Sequence, residues 1–383
     1  MTNPLHQLQT QGQSVWYDHI DRAQLISGQL QKILDENRIL GVTSNPTIFA
    51  TSICSGHTYD EQIFSLISAG KATHEIYETL VVQDIQAVAD LLLPIYEHTA
   101  GKEGFVSLEV SPTLAYNTMG TLNEARRLWR AVNRPNLMIK IPATPEGLLA
   151  VEEALCEGIN INVTLILSRT TYSQTTDAYL RALETRHRQG LDISRIASVA
   201  SCYVSRIDLL MDTLITTNIK ASGDPHEQAR LRALQGKIAL ANARLLYQEF
   251  KRIFSQPRFL ELERSGAGVQ RILWASTNTK NPSYSNVRYV EELIGPQTIN
   301  TMTPETLENF RDHGSVRWSI EEDLLQARAI LKELELAGFY LEQILDELLG
   351  ECLQKFVGSF FLVLENIEGK KQASKEHSIV GIG

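Results

Sequence analysis

The chain has 383 residues, 43% of them hydrophobic and 21% charged, a globular composition that excludes fibrous, disordered and small disulfide-stapled classes. Its 36 Lys and Arg against 45 Asp and Glu leave a formal charge of -9, so nucleic acid, whose binding rests on neutralising phosphates, is not an expected partner. The four cysteines, Cys54, Cys156, Cys202 and Cys352, stand far apart without a CxxC pair, which fits free thiols in a reducing compartment rather than a disulfide framework or a zinc site.

From Met1 to Ser14 the chain is polar, without the basic and apolar regions of a secretory signal. The longest apolar runs, such as Leu91 to Leu93 and Phe360 to Leu364, fall well short of the roughly 20 residues that span a bilayer. A cytoplasmic protein with no membrane partner is the expectation.

Short β-rich runs then alternate with longer stretches of helical spacing, as a parallel sheet with crossover helices requires. The predicted strands are Ser14 to Tyr17, Gly41 to Asn45, Phe105 to Val110, Leu137 to Pro142, Ile161 to Leu167, Ser198 to Val204, Gln270 to Ala275 and Thr298 to Met302. Eight is the number that closes an α/β barrel. Between the first two strands, Ile26, Leu30, Ile33 and Leu34 mark one apolar helix stripe. After the fourth, Thr144 can cap and Pro145 open a helix that Gly158 ends, with Leu148, Val151 and Leu155 facing inward.

The stretch from Thr217 to Gly268 exceeds a simple strand-to-helix connection, so added helices are expected there; they could cover the mouth, pair subunits or pack on the barrel. From Ile320 to Ile367 the pattern is helical and Leu-rich. The expected organisation is a single barrel domain over 1–367 with a helical insertion at about 217–268. Residues 368–383 lose periodicity and are expected to form a mobile tail.

Lys140 lies inside the apolar run Asn136-Leu137-Met138-Ile139-Lys140-Ile141-Pro142. Desolvation would lower its pKa and expose a neutral amine that can attack a ketone. Taken alone, the segment slightly favours a lysine that snorkels to water. The balance shifts when neighbouring strand ends are taken with period two. Thr43 and Asn45, Ser107 and Glu109, Asn162 and Thr164, and Ser201 and Tyr203 then form same-face polar pairs. Inside a barrel these are costly unless hydrogen-bonded or facing a ligand at the C-terminal mouth.

Asp18 ends the first strand, as a rim carboxylate or as an N-cap. Glu109 is unfavoured in a strand unless edge-exposed or paired, which leans it toward function. Arg206 and Lys280 follow the sixth and seventh strands, where barrels often bind phosphate, although either could be a surface charge. The nine histidines are scattered, and neither a Walker loop nor a GxGxxG fingerprint occurs. Neither a metal nor a nucleotide cofactor is expected.

The strings Gly41-Val42-Thr43-Ser44-Asn45-Pro46-Thr47-Ile48-Phe49, Met138 to Thr144, Gly158 to Ile166, Ser107 to Val110, Ala200 to Arg206 and Trp274 to Pro282 resemble transaldolases in wording and order, across most of the chain. The resemblance is to the longer bacterial type without a fused isomerase domain. It implies a class I aldolase-type (β/α)8 TIM barrel of the pentose phosphate pathway that needs no cofactor. Such an enzyme moves a dihydroxyacetone unit from sedoheptulose 7-phosphate to glyceraldehyde 3-phosphate, giving erythrose 4-phosphate and fructose 6-phosphate.

By position in the matching motifs, Lys140 would form the Schiff base and Asp18 would take the proton from the C4 hydroxyl. Glu109 and Thr164 would pass protons through a water. Asn45 and Asn162 would hold the enamine, and Ser201, Arg206 and Lys280 would bind the phosphate. Tyr203 stands where the family often has Phe, which keeps open an aldolase that releases free dihydroxyacetone. Glu109 matches the transaldolase pattern, whereas fructose 6-phosphate aldolases are expected to carry an amide there. A non-catalytic sugar-phosphate-binding barrel is the rival from another class, and monomer and homodimer are both compatible with the sequence.

Overall fold

The computed structural model describes residues 3–380. Eight parallel strands close a barrel in sequence order: β1 (Gln13–Tyr17), β2 (Gly41–Val42), β3 (Phe105–Glu109), β4 (Leu137–Pro142), β5 (Ile161–Ile166), β6 (Ser198–Tyr203), β7 (Arg271–Ala275) and β8 (Thr298–Met302). Ring closure runs through β8 and β1, with Gln13 opposite Thr298 and Tyr17 opposite Met302. The fold is a (β/α)8 TIM barrel with additional helices. Its strands are buried on both faces, the condition of a parallel sheet sheathed by helices.

Local chemistry sets the helix starts. Asn45, Thr144, Ser168 and Thr303 each accept a backbone N–H of the helix that follows a strand, and Pro46, Pro145 and Pro304 take the first helical position. The helix Pro145–Cys156 buries Val151 and Leu155 as the periodicity requires.

The stripe from Ile26 to Leu34 does not form one helix. It divides into Arg22–Ile26 and Gln29–Asn37 at Gly28, which adopts the left-handed conformation. Leu30 and Leu34 are buried, while Ile26 is 75% exposed. A helical period set by a few residues does not reveal a break that one glycine introduces. Between β6 and β7 the chain forms helices Ser205–Ala221, Pro225–Arg232, Ile238–Phe254 and Pro257–Arg264.

The helix Leu341–Val380 carries regular backbone past 368, where the sequence loses its apolar period. Backbone helicity continues to Val380, because helix hydrogen bonds do not need an apolar stripe once a packed segment has nucleated the helix. The remainder of that expected tail, 381–383, lies outside the described residues.

The helix Thr73–His98 is, by length and composition, long and apolar enough to cross a membrane, although no single apolar run in it approaches that length. Half of its most apolar window is buried inside the protein. It carries the buried Asp84, which accepts from Arg22 at 2.7 Å and from Tyr59 at 2.8 Å. In the barrel this is the crossover helix before β3, and its apolar face covers the sheet.

The N-terminal end of the barrel is plugged. Glu103 accepts from Ser14 Oγ and Arg271 Nη1, both at 2.5 Å, and from Trp16 Nε1 at 3.4 Å. Arg271 also donates to the Thr298 carbonyl at 2.8 Å. Gly41 stands opposite Trp16 in the β1–β2 register, and a Cβ there would come within 2.4 Å of the indole ring. The only residue that lets Trp16 fill this end is glycine.

Candidate active site

At the C-terminal end, β3, β4 and β5 bring Glu109, Lys140 and Asn162 to one level, Glu109 opposite Lys140 and Lys140 opposite Asn162. Lys140 is 3% exposed. Its Nζ donates to the Ser44 carbonyl at 3.0 Å and lies 3.2 Å from Glu109 Oε2. Burial disfavours the ammonium. The carboxylates of Glu109 and Asp18 and the phenol of Tyr203 more than offset this, and the Lys140 pKa stands above that of an ordinary lysine.

The sequence-based expectation of a depressed lysine is therefore reversed, because the desolvation that would discharge the amine is countered by an anion the strand register places beside it. Burial also raises Glu109, against the pull of Lys140. The resting pair is an ammonium beside a carboxylate whose surroundings favour taking its proton.

Asn162 is held by both ends of its amide, donating to Ser107 Oγ at 3.0 Å and accepting from Ser201 Oγ at 2.6 Å. Ser201 thus belongs to the lysine layer. Thr164 lies opposite Pro142, one step nearer the mouth, and its buried hydroxyl has no close hydrogen-bond partner among the described residues. The following Leu165 has φ of 60° within a register shift between β5 and β6. A left-handed leucine is strained, and such strain often accompanies bulges beside reactive groups.

Asp18 does not cap a helix; Asp21 caps Arg22–Ile26. The Asp18 carboxylate instead accepts from Thr43 Oγ1 at 2.7 Å, and Thr43 lies 2.9 Å from Thr301 Oγ1. Asn45 departs from its expected strand, since β2 stops at Val42. It caps the helix Pro46–Cys54 by accepting from Ile48 N at 3.1 Å. Capping consumes its oxygen and leaves its amide N–H free for other contacts.

A cavity of about 320 Å³ opens above this layer, and Asp18, Asn45, Lys140, Ser201, Arg206 and Lys280 all line it. Glu109, Asn162 and Thr164 lie behind that wall. Arg206 starts the helix Ser205–Ala221, and its Nε is buried without a partner. Lys280 has an exposed stem, but its ammonium donates to Ser205, Ser276 and Asn278 at 3.1, 3.1 and 2.8 Å. Loss of hydration at that nitrogen, with Arg206 nearby, pushes Lys280 down to about 8. Neither cation has a carboxylate partner among the described residues.

The same cavity takes contributions that went unnoticed in the sequence: His19, Ser276, Asn278, Thr301 and Phe356. Thr301 could have been found by extending the search for polar residues to the eighth strand. Phe356 belongs to the C-terminal helix, whose buried stripe of Cys352, Phe356, Phe360, Val363 and Ile367 was visible as helical periodicity but gave no sign of what it covers. Burial lowers the His19 pKa despite Asp21 and Asp18, which favours the neutral imidazole. Among the described residues no cluster of three His, Cys, Asp or Glu side chains could hold a metal.

The family model for transaldolase/fructose-6-phosphate aldolase matches residues 15–367. The chain is 43% identical over 372 residues to the transaldolase of Trichodesmium erythraeum, covering 97% of this chain and 98% of the relative. It is 44% identical over 372 residues to transaldolase 2 of Nostoc punctiforme, covering 96% and 98%. The transaldolase of Thermobifida fusca is 44% identical over 368 residues, again covering 96% and 98%. Matches of this extent, on a barrel whose mouth carries a buried lysine beside the Glu109 carboxylate, lead to one conclusion: the chain belongs to the transaldolase/fructose-6-phosphate aldolase family.

Proposed function

We propose that the enzyme transfers a dihydroxyacetone unit from sedoheptulose 7-phosphate to glyceraldehyde 3-phosphate through a Schiff base on Lys140. The supporting observation is the Lys140–Glu109 pair at 3.2 Å, set beneath a cavity with Asp18 on its wall and two carboxylate-free cations at its rim. Glu109 takes the ammonium proton, and the freed amine attacks the C2 carbonyl to form a carbinolamine. Glu109 and Thr164, bridged by a water, return that proton to the departing hydroxyl, and water and the iminium form.

Asp18, oriented by Thr43, removes the C4 hydroxyl proton. The C3–C4 bond breaks, its electron pair passes into the iminium as an enamine, and erythrose 4-phosphate leaves. The amides of Asn45 and Asn162 hold the three-carbon enamine until glyceraldehyde 3-phosphate arrives, and the reverse steps deliver fructose 6-phosphate. Arg206 and Lys280 bind the phosphate with Ser276 and Asn278 beside them. Ser201, whose proton goes to Asn162, acts in the lysine layer and not at the phosphate.

Borohydride reduction with fructose 6-phosphate, followed by peptide mass mapping, tests this function. A three-carbon adduct on Lys140 is expected, and an adduct on another lysine, or none, overturns the Schiff-base assignment. A second function is favoured by Tyr203, a buried phenol whose ionisation Lys140 influences: aldol cleavage that releases dihydroxyacetone. Incubation without acceptor aldehyde separates the two, since a pure transferase stops at the bound enamine. If Tyr203 promotes release, Tyr203→Phe lowers free dihydroxyacetone relative to transfer.

A further inference from the structure

Glu109 has a second face. Behind it, away from the main cavity, lies a smaller one of about 20 Å³, room for a single water. Its wall includes Glu109 and Ser111 at the end of β3, Tyr77 of the helix Thr73–His98, Glu124 of the helix Thr118–Val132, and Phe360 of the C-terminal helix. Lys140, Asp18 and Tyr203 line only the main cavity or its floor, and Asn45 alone borders both.

Both carboxylate oxygens of Glu109 are buried and accept no hydrogen bond among the described residues; Oε2 has the Lys140 ammonium 3.2 Å away and Oε1 has no charged partner. An ionised carboxylate has about four acceptor positions, the Lys140 ammonium can serve one of them, and leaving the rest empty in a buried site is costly. The small cavity is the place from which they can be filled. Its outer end is polar as well: Glu124 accepts from Ser111 N at 3.1 Å, and the exposed His74 ring stands 6.4 Å from Tyr77 and 6.3 Å from Phe360.

We propose that this side cavity is a water port for Glu109, through which water enters and leaves while a sugar phosphate fills the main cavity. The inference rests on the Schiff-base function of Lys140. When the carbinolamine collapses, its C–O bond breaks and the oxygen takes the proton of the Glu109 carboxyl. One water departs, the nitrogen lone pair becomes the C=N bond, and Glu109 remains as carboxylate. Hydrolysis of the final imine consumes one water by the reverse path. The occupied mouth obstructs that exchange, and the side cavity supplies an exit past Tyr77, Glu124 and Phe360.

The test follows the ketone oxygen. Fructose 6-phosphate labelled with oxygen-18 at C2 is incubated with the full chain in unlabelled water. Mass spectrometry measures label lost, and rapid borohydride quenching counts imines formed on Lys140. The wild-type enzyme is expected to lose its label nearly once per imine. Val82→Phe and Ser111→Leu, which enlarge side chains on the cavity wall, are expected to retain it, because the expelled water is trapped and returns to the same carbon.

Phe360→Ala, which widens the port, is expected to keep exchange at the wild-type ratio. Misplacement of Glu109 would slow imine formation and exchange together and leave the ratio alone. Circular dichroism checks folding, and Ser111, half-buried in a loop, keeps the test open if Val82→Phe does not fold. An unchanged ratio in a folded filled variant overturns the port alone. Absence of any Lys140 adduct in the wild type overturns both the port and the Schiff-base function.

Discussion

The two ends of the barrel treat charge in opposite ways. At the N-terminal end, Arg271 is neutralised by Glu103 at 2.5 Å, with Ser14, Trp16 and the Thr298 carbonyl around the pair, although its own buried Nε has no partner among the described residues. At the C-terminal end, Arg206 and Lys280 have no carboxylate partner among the described residues, Lys280 is held by neutral oxygens, and Glu109 faces the Lys140 ammonium at 3.2 Å. One sheet supports both ends, so the difference lies in what the side chains are for. A cation neutralised by a carboxylate stabilises a fold, whereas cations without one are tolerated where a ligand can complete them.

Substitution can break this contrast. Lys140→Ala is expected to lower transfer by about 10⁴-fold or more, since it removes the covalent nucleophile itself; a coupled transfer assay measures it. Unfolding of that variant should be easier than wild type, because it leaves the buried Glu109 carboxylate without its cation. Glu109→Gln keeps the shape but cannot accept the lysine proton, and a loss of about 10²- to 10³-fold is expected. With the carboxylate gone, desolvation dominates Lys140 and its pKa falls, so the residual activity should rise with pH at a lower pH than a raised lysine allows.

Arg271→Leu probes the other end. Leaving Glu103 without its cation is expected to cost about 3 kcal/mol in urea unfolding, with KM for fructose 6-phosphate unchanged. A rise in KM would show that the plug and the site are coupled.

The smallest effect sharpens the rim. Lys280→Met should raise KM for phosphorylated substrates by about 10-fold, the worth of one charge-assisted hydrogen bond. Because Lys280 sits at about 8, it is protonated below that pH and loses above it the charge with which the proposed site would bind phosphate. Wild-type KM should therefore climb as pH passes about 8, and Lys280→Met should lack that inflection. An inflection that survives the substitution would assign it to another group.

Much of this molecule was legible in the sequence. The eight strands lie within a few residues of their predicted places because apolar runs bounded by turns leave few alternatives. Lys140, Asp18, Ser201, Arg206 and Lys280 share one cavity because barrel strand ends converge by topology. Asn45 was placed correctly at the mouth for an incorrect reason: it caps a helix instead of continuing a strand. The break at Gly28 and the helix beyond 368 escaped periodicity, which registers an apolar stripe but not the hydrogen bonds that interrupt or extend a helix.

Residue order alone thus determined the barrel, the lysine in an apolar strand and the family to which the chain belongs. Tertiary structure decided the charge of that lysine, through the β3–β4 register that sets Glu109 3.2 Å away. It also brought Phe356 over the mouth and Phe360 beside the second cavity, from a helix far along the chain. Electrostatic energy depends on distance and burial, and neither is a property of a sequence until the sheet has closed.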